Sequence, residues 1–139
     1  MRVGDVMSAP ARALPLEASL YEAARVMRDE GIGDVLVTFS GRLCGMVTDR
    51  DIVVRAVADS RDALRTPLGE VCTADLVTVR AEDDTEEAAR LMGERAIRRL
   101  PVVDELHRPV GIVSIGDLAA VDGDGTPPLS AISKAPPNL

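Results

Sequence analysis

The chain has 139 residues, 46% hydrophobic and 28% charged, which fits one globular domain of ordinary size or two very small ones and excludes a disordered chain. Twenty-three acidic against sixteen basic residues give a net charge of −7, and Tyr21 and Phe39 are its aromatic side chains, so nucleic acid is excluded as a partner. The apolar runs are short and broken by charges, which leaves no membrane span, and Met1-Arg2-Val3-Gly4-Asp5 lacks the apolar core of a signal peptide. Cys44 and Cys72 form no disulfide framework, and the expected location is the reducing cytoplasm.

In chain order, Gly4-Asp5-Val6-Met7-Ser8 leads into a short extended piece, Ala11 to Leu14. Ser19 and Glu22 then have the S-x-x-E spacing of a capping box. They open a helix whose apolar Leu20, Ala23, Ala24 and Met27 recur at three and four, and which Gly31 can end. Val35 to Phe39 reads as a strand buried on both faces, Ser40-Gly41-Arg42 as a turn, Leu43 to Val47 as a second strand, and Thr48 as the start of a second helix. Residues 57–67 are a polar connection, after which the order recurs. Gly69-Glu70-Val71-Cys72-Thr73 repeats the opening block at a shift of 65 residues (Gly4 to Gly69). Glu87-Ala88-Ala89-Arg90-Leu91-Met92 repeats Glu22 to Met27 at the same shift, with Asp84 in the place of Ser19 as cap. Gly111-Ile112-Val113-Ser114-Ile115-Gly116-Asp117 repeats Gly45 to Asp51 after one inserted residue near the turn His107-Arg108-Pro109.

The expected fold class is therefore α/β (α+β), two β-α-β-β-α repeats. The boundaries are residues 1–60 for the first repeat, 61–67 for a linker, 68–121 for the second repeat and 122–139 for a flexible tail rich in Gly and Pro. Halves of about sixty residues have little core of their own, so one shared core is expected.

Two segments carry the candidate chemistry, Gly45-h-h-Thr48-x-x-Asp51 and Gly111-h-h-Ser114-x-x-Asp117, where h is apolar. As structure, Thr or Ser caps a helix and Asp completes the box. As a site, the hydroxyl and the unpaired N–H groups of a helix start suit a phosphate, and the carboxylate can accept from both hydroxyls of a ribose. Spacing alone leaves both readings open.

With these two segments, the doubled β-α-β-β-α order and Arg98-Arg99-Leu100-Pro101-Val102-Val103-Asp104, the chain resembles the CBS domain family in its tandem form, over about residues 3–121. The resemblance implies two copies packed about a pseudo-twofold axis as a Bateman module, with two clefts between them that commonly bind adenosine compounds. It implies ligand contacts from Thr48 and Asp51 in the first cleft and Ser114 and Asp117 in the second, with Thr78, Arg98, Arg99 and Pro101 beside them. The copies differ: Ala13 and Leu36 stand where the second has Thr78 and Pro101, and Asp34 stands where it has Arg99, an acid set to repel a phosphate.

The remaining polar and sulfur residues read as structural. His107 belongs to a turn, Met7, Met27, Met46 and Met92 to apolar faces, and Glu82 to Glu87 to an acidic helix start that complements the dipole. The composite expectation is a stand-alone, non-enzymatic sensor of AMP, ADP, ATP or a related nucleotide, with no tightly bound cofactor and no metal. It would form a homodimer through apolar helix surface at Leu20, Val26, Ile52, Leu91 and Leu118, and act on an effector protein in trans. The alternative is a homodimeric interaction or stress-response scaffold with vestigial clefts.

Overall fold

A computed structural model describes residues 1–122, and the expected tail lies outside the described residues from 123 onward. The first repeat runs β1 (Ala13–Pro15), α1 (Leu20–Glu30), β2 (Asp34–Phe39), β3 (Arg42–Thr48) and α2 (Asp49–Asp51), the last prolonged by π-helical turns over Ile52–Val57. The second runs β4 (Val79–Arg80), α3 (Thr85–Arg95), β5 (Arg99–Val103), β6 (Pro109–Ser114) and α4 (Ile115–Asp122). Each makes a three-stranded sheet in chain order, its first pair parallel and its second antiparallel. The expected β-α-β-β-α order is present twice. Even the register irregularity is copied, between Val37 and Thr38 in one sheet and between Val102 and Val103 in the other.

The helix ends follow local chemistry in the first repeat and depart from it in the second. The Ser19 hydroxyl accepts from Glu22 N–H at 3.1 Å, and Gly31 closes α1 in the left-handed region at φ 65°. Asp84, expected to cap α3, makes no side-chain cap bond. Instead, Thr85 N–H donates to the Met1 carbonyl at 2.9 Å, as Leu20 N–H donates to the Thr66 carbonyl at 3.0 Å. A main-chain carbonyl from a segment distant in sequence thus receives the first N–H of both helices, and in α3 the Glu87 N–H, which a cap side chain would take, donates to the Asp84 carbonyl at 3.1 Å. Ala96 ends α3 at φ 53°, bearing a Cβ penalty of about 1–2 kcal/mol that Gly31 escapes.

The compact units do not follow the repeats. One is Arg12–Leu76; the other joins Met1–Ala11 to the described residues from Val77 on. The opening block of the chain therefore docks on the second repeat, and its copy after the connection docks on the first. Val3 N–H donates to the Asp83 carbonyl and Gly4 N–H to that of Ala81, each at 2.8 Å. In the contiguous unit Leu68 N–H donates to Ala18 at 2.8 Å and Gly69 N–H to Leu16 at 2.9 Å. Each segment then forms an isolated antiparallel bridge to its sheet, Ser8 with Ile112 and Thr73 with Met46.

That docking explains the glycine that opens each candidate segment. A Cβ on Gly111 would lie 2.7 Å from Met7 Sδ and 2.8 Å from the Ser8 carbonyl oxygen. On Gly45 it would lie 2.7 Å from Cys72 Sγ and 3.1 Å from the Thr73 carbonyl oxygen. Glycine is needed here because another backbone passes at contact distance.

Most of the buried hydrophobic residues gather in two clusters, one in each unit. One holds Leu20, Ala23, Val35, Val37, Val47, Leu68 and Val71, the other Val3, Ala88, Met92, Leu100, Val102, Val113 and Leu118. Leu20 and Leu118, read above as dimer surface, are thus core residues. Val26, Ile52 and Leu91 also pack against the clusters, and the exposed apolar surface of the α2 region is Val53, Val54 and Val57.

Candidate functional site

Both candidate segments fold as reciprocal capping boxes. Thr48 N–H donates to Asp51 Oδ2 at 2.9 Å while Thr48 Oγ1 accepts from Asp51 N–H at 3.1 Å. Ser114 N–H donates to Asp117 Oδ2 at 2.8 Å and Ser114 Oγ accepts from Asp117 N–H at 3.1 Å. The structural reading of these residues is therefore correct. It does not exhaust them, because each box uses one carboxylate oxygen and the acceptor side of one hydroxyl. Asp Oδ1 and the hydroxyl proton lie outside the box and can face a diol and an acceptor. Thr48 is buried, and Asp51 is largely so, with Arg55 Nε 3.8 Å from its Oδ1.

The sheets decide what stands beside each box. In the second repeat Arg99 is the cross-strand partner of Ser114, and Pro101 that of Ile112. The Arg98 carbonyl accepts from Ile115 N–H at 2.9 Å, tying the strand start to the helix start. Val79 pairs with Val102, so Thr78 and Pro101 stand one step back along the same two strands. Thr78, Arg98, Arg99, Pro101, Ser114 and Asp117 thus gather at one end of one sheet, all within the discontinuous unit. Thr48 and Asp51 belong to the contiguous unit, where Asp34 is the partner of Thr48 and Leu36 that of Met46. Asp49 N–H donates to the Gly33 carbonyl at 3.0 Å, the counterpart of the Ile115 bond.

The other candidates take structural places. Met27, Met46 and Met92 are buried. Met7 packs on the second cluster and Cys72 on the first. Burial raises both cysteine thiols above their ordinary range, so they are neutral and poorly nucleophilic at pH 7. His107, at φ 63°, is half-buried in the turn organised by Asp104, whose Oδ1 accepts from Leu106 and Arg108 N–H, each at 2.9 Å. Among the described residues no group of three or more His, Cys, Asp or Glu is placed to hold a metal ion, and no helix is long and apolar enough to cross a membrane.

Comparison with known proteins agrees with this geometry. YhcV of Bacillus subtilis, a CBS domain-containing protein, is 40% identical over 117 residues, covering 84% of this chain and 82% of that protein. The crystal structure of Hypoxic Response Protein I, which holds two coordinated zinc ions, matches with a TM-score of 0.78 at 34% identity, covering 87% of this chain and 98% of that one. The CBS domain pair of protein MJ0100, in complex with 5′-methylthioadenosine and S-adenosyl-L-methionine, matches with a TM-score of 0.77 at 27% identity, covering 88% and 96%. The family model of the CBS domain matches twice, over residues 3–57 and 68–124, and the chain belongs to that family as a tandem pair.

Proposed function

We propose that the chain is a regulatory module, without catalysis, that binds an adenosine-containing nucleotide in the clefts the family resemblance implies. The observation that carries this reading is the pair of boxes, each leaving its hydroxyl proton outside the cap, with Asp117 Oδ1 outside it as well in the copy that has Arg99 and Pro101 beside it. An adenosine compound on a related pair, MJ0100, supports it. Asp117 would accept from the ribose diol, Ser114 would donate toward phosphate, and Pro101 with Thr78 would line the base. The nucleotide is then a regulatory ligand rather than a resident cofactor, and the output acts on an effector protein in the cytoplasm.

The test separates capping from binding. Titrating the parent with AMP, ADP and ATP by calorimetry should give saturable binding and a raised melting temperature. Asp117→Ala should weaken it at least about tenfold, the loss of a charge-assisted acceptor, while Asp51→Ala weakens it less. Asp117→Asn keeps an acceptor for Ser114 N–H, so it should retain stability and still bind more weakly. Equal affinity in all variants, or no binding by the parent, overturns the assignment.

A homodimer is part of the same reading. Val53, Val54 and Val57 are 58%, 48% and 66% exposed on one short helical stretch. Sedimentation at tens of micromolar should show a dimer that Val57→Asp dissociates; a monomeric parent ends that part of the proposal. The scaffold alternative draws on one observation, that both boxes already have a complete role as caps, and the titration decides it.

A further inference from the structure

Helices α1 and α3 carry the same charges at equivalent positions and use them differently. Glu22, Arg25 and Asp29 correspond to Glu87, Arg90 and Glu94 at the shift of 65 residues. In α3, Arg90 Nε donates to Glu87 at 2.9 Å and Nη1 to Glu94 at 2.5 Å, so one guanidinium satisfies both acids. In α1, Arg25 lies instead over the Tyr21 ring, 5.7 Å from its centroid, and Asp29 takes Arg28 at 2.8 Å. Glu22 gives its main-chain N–H to the Ser19 cap, and its carboxylate has no hydrogen-bond or ion-pair partner among the described residues. The apolar positions differ too: Val79 is buried, whereas its counterpart Leu14 is half-exposed. Leu14 and Val26, with Glu22, Arg25 and Asp29 around them, line an open groove of about 240 Å³. Small-molecule sites run to about 300–1,000 Å³ and enclose most of their ligand, so this groove suits a branched side chain of a peptide better than a free metabolite.

We propose that the groove is the docking site of the chain's own residues 127–137, with Ile132 over Leu14 and Val26 and Lys134 on Glu22. An unpaired acid beside an apolar floor calls for an apolar residue followed closely by a cation, and Ile132-Ser133-Lys134 supplies that pattern. Lys134 is the sole lysine of a chain whose net charge is −7, and the one charged side chain after Asp124. Pro127-Pro128 and Pro136-Pro137 bracket the segment. Proline and the residue before it favour extended backbone, which lowers the entropy lost on docking. In an extended segment alternate side chains share a face, so Ile132 and Lys134 stand on one side about 7 Å apart. Val26 is one helical turn from Glu22, about 6 Å along the axis, so the two spacings match. Ten residues separate Asp122, where the described chain stops, from Ile132, a reach of about 33–36 Å, comparable with the diameter of a small domain. The docking is independent of what the two capping boxes bind.

Carbodiimide coupling on the full chain tests this, since the reagent joins a carboxylate to an amine in direct contact and Lys134 is the sole lysine. Peptide mapping should find Lys134 joined mainly to Glu22, in monomer-sized protein and at a yield independent of protein concentration. Ile132→Asp, which alters no core residue named above, would bury a charge on docking and should cut that yield at least about fivefold. Exchanging the charges, Glu22→Lys with Lys134→Glu, should restore a product between the same two positions. Lys134 spread evenly over exposed acids such as Glu17 and Asp59, or an unchanged yield in Ile132→Asp, overturns the docking. A product that joins two chains and grows with concentration puts a second copy in the groove and overturns it as well.

Discussion

Deleting residues 1–8 is expected to unfold the second repeat and leave the first folded, although those residues are covalently joined to the first. Val3 is fully buried in the cluster of Met92, Leu100 and Val113, and burying a side chain of its size contributes about 1.5–3 kcal/mol. The same segment makes the bonds from Val3 and Gly4 to Asp83 and Ala81, the two-way bridge between Ser8 and Ile112, and the Met1 carbonyl that receives Thr85 N–H. At about 0.5–1.5 kcal/mol each, these bring the expected loss above about 4 kcal/mol, a large part of what holds a small domain together. Amide exchange on the truncated chain should show protection lost over residues 77–122 and kept over 12–76. Val3→Ala and Leu68→Ala, at equivalent positions in the two segments, should weaken the second and first units respectively. Protection lost from the first repeat instead would refute the exchange of segments.

Gly111→Ala should be the most damaging single substitution in either candidate segment. Its Cβ would fall 2.8 Å from the Ser8 carbonyl oxygen, which is fixed by the 3.0 Å bond from Ile112 N–H and cannot withdraw without breaking the bridge. Overpacking of this kind costs about 1–3 kcal/mol, and the upper end applies where backbone is the obstacle. Gly45→Ala should cost less, because its closest obstacle is the Cys72 thiol and the Thr73 carbonyl stands off at 3.1 Å. Adding Met7→Ala to Gly111→Ala removes the 2.7 Å clash with sulfur but not the one with Ser8, so chemical denaturation of the cycle should show partial rescue. Equal midpoints for Gly111→Ala and the parent would mean that the segment does not pass where it is placed.

The repeat made the fold legible. Near-continuous apolar runs, the Ser19 cap, Gly31 and the Thr48 and Ser114 boxes each name an element locally, and their recurrence fixes the order. What sequence could not carry was the partner of each segment. Gly4 to Ser8 is adjacent in sequence to β1, and adjacency is no guide when the hydrogen bonds run to residues as distant as Ala81 and Ile112. A signal was present and passed over: a glycine inside a strand, at 45 and again at 111, marks a close backbone approach. Asp84 makes no side-chain cap because Glu87 N–H, the donor such a cap would take, donates to the Asp84 carbonyl itself. At the candidate site, the residue types and both boxes could be read in advance. The facing of Asp34 with Thr48 and of Arg99 with Ser114 needed the antiparallel register, which a turn one residue longer in the second copy obscures.

The exchange of segments also sets an order of manufacture. Synthesis runs from the N-terminal side, yet the unit that can close first is the contiguous one, complete once Leu76 has emerged. Val3, made before the contiguous unit, has to wait for Asp83, and Ser8 for Ile112. The discontinuous unit therefore bears the larger loop-closure entropy and the slower, more non-local contacts, and it closes after the contiguous one. The segment before the contiguous unit is in effect installed after it.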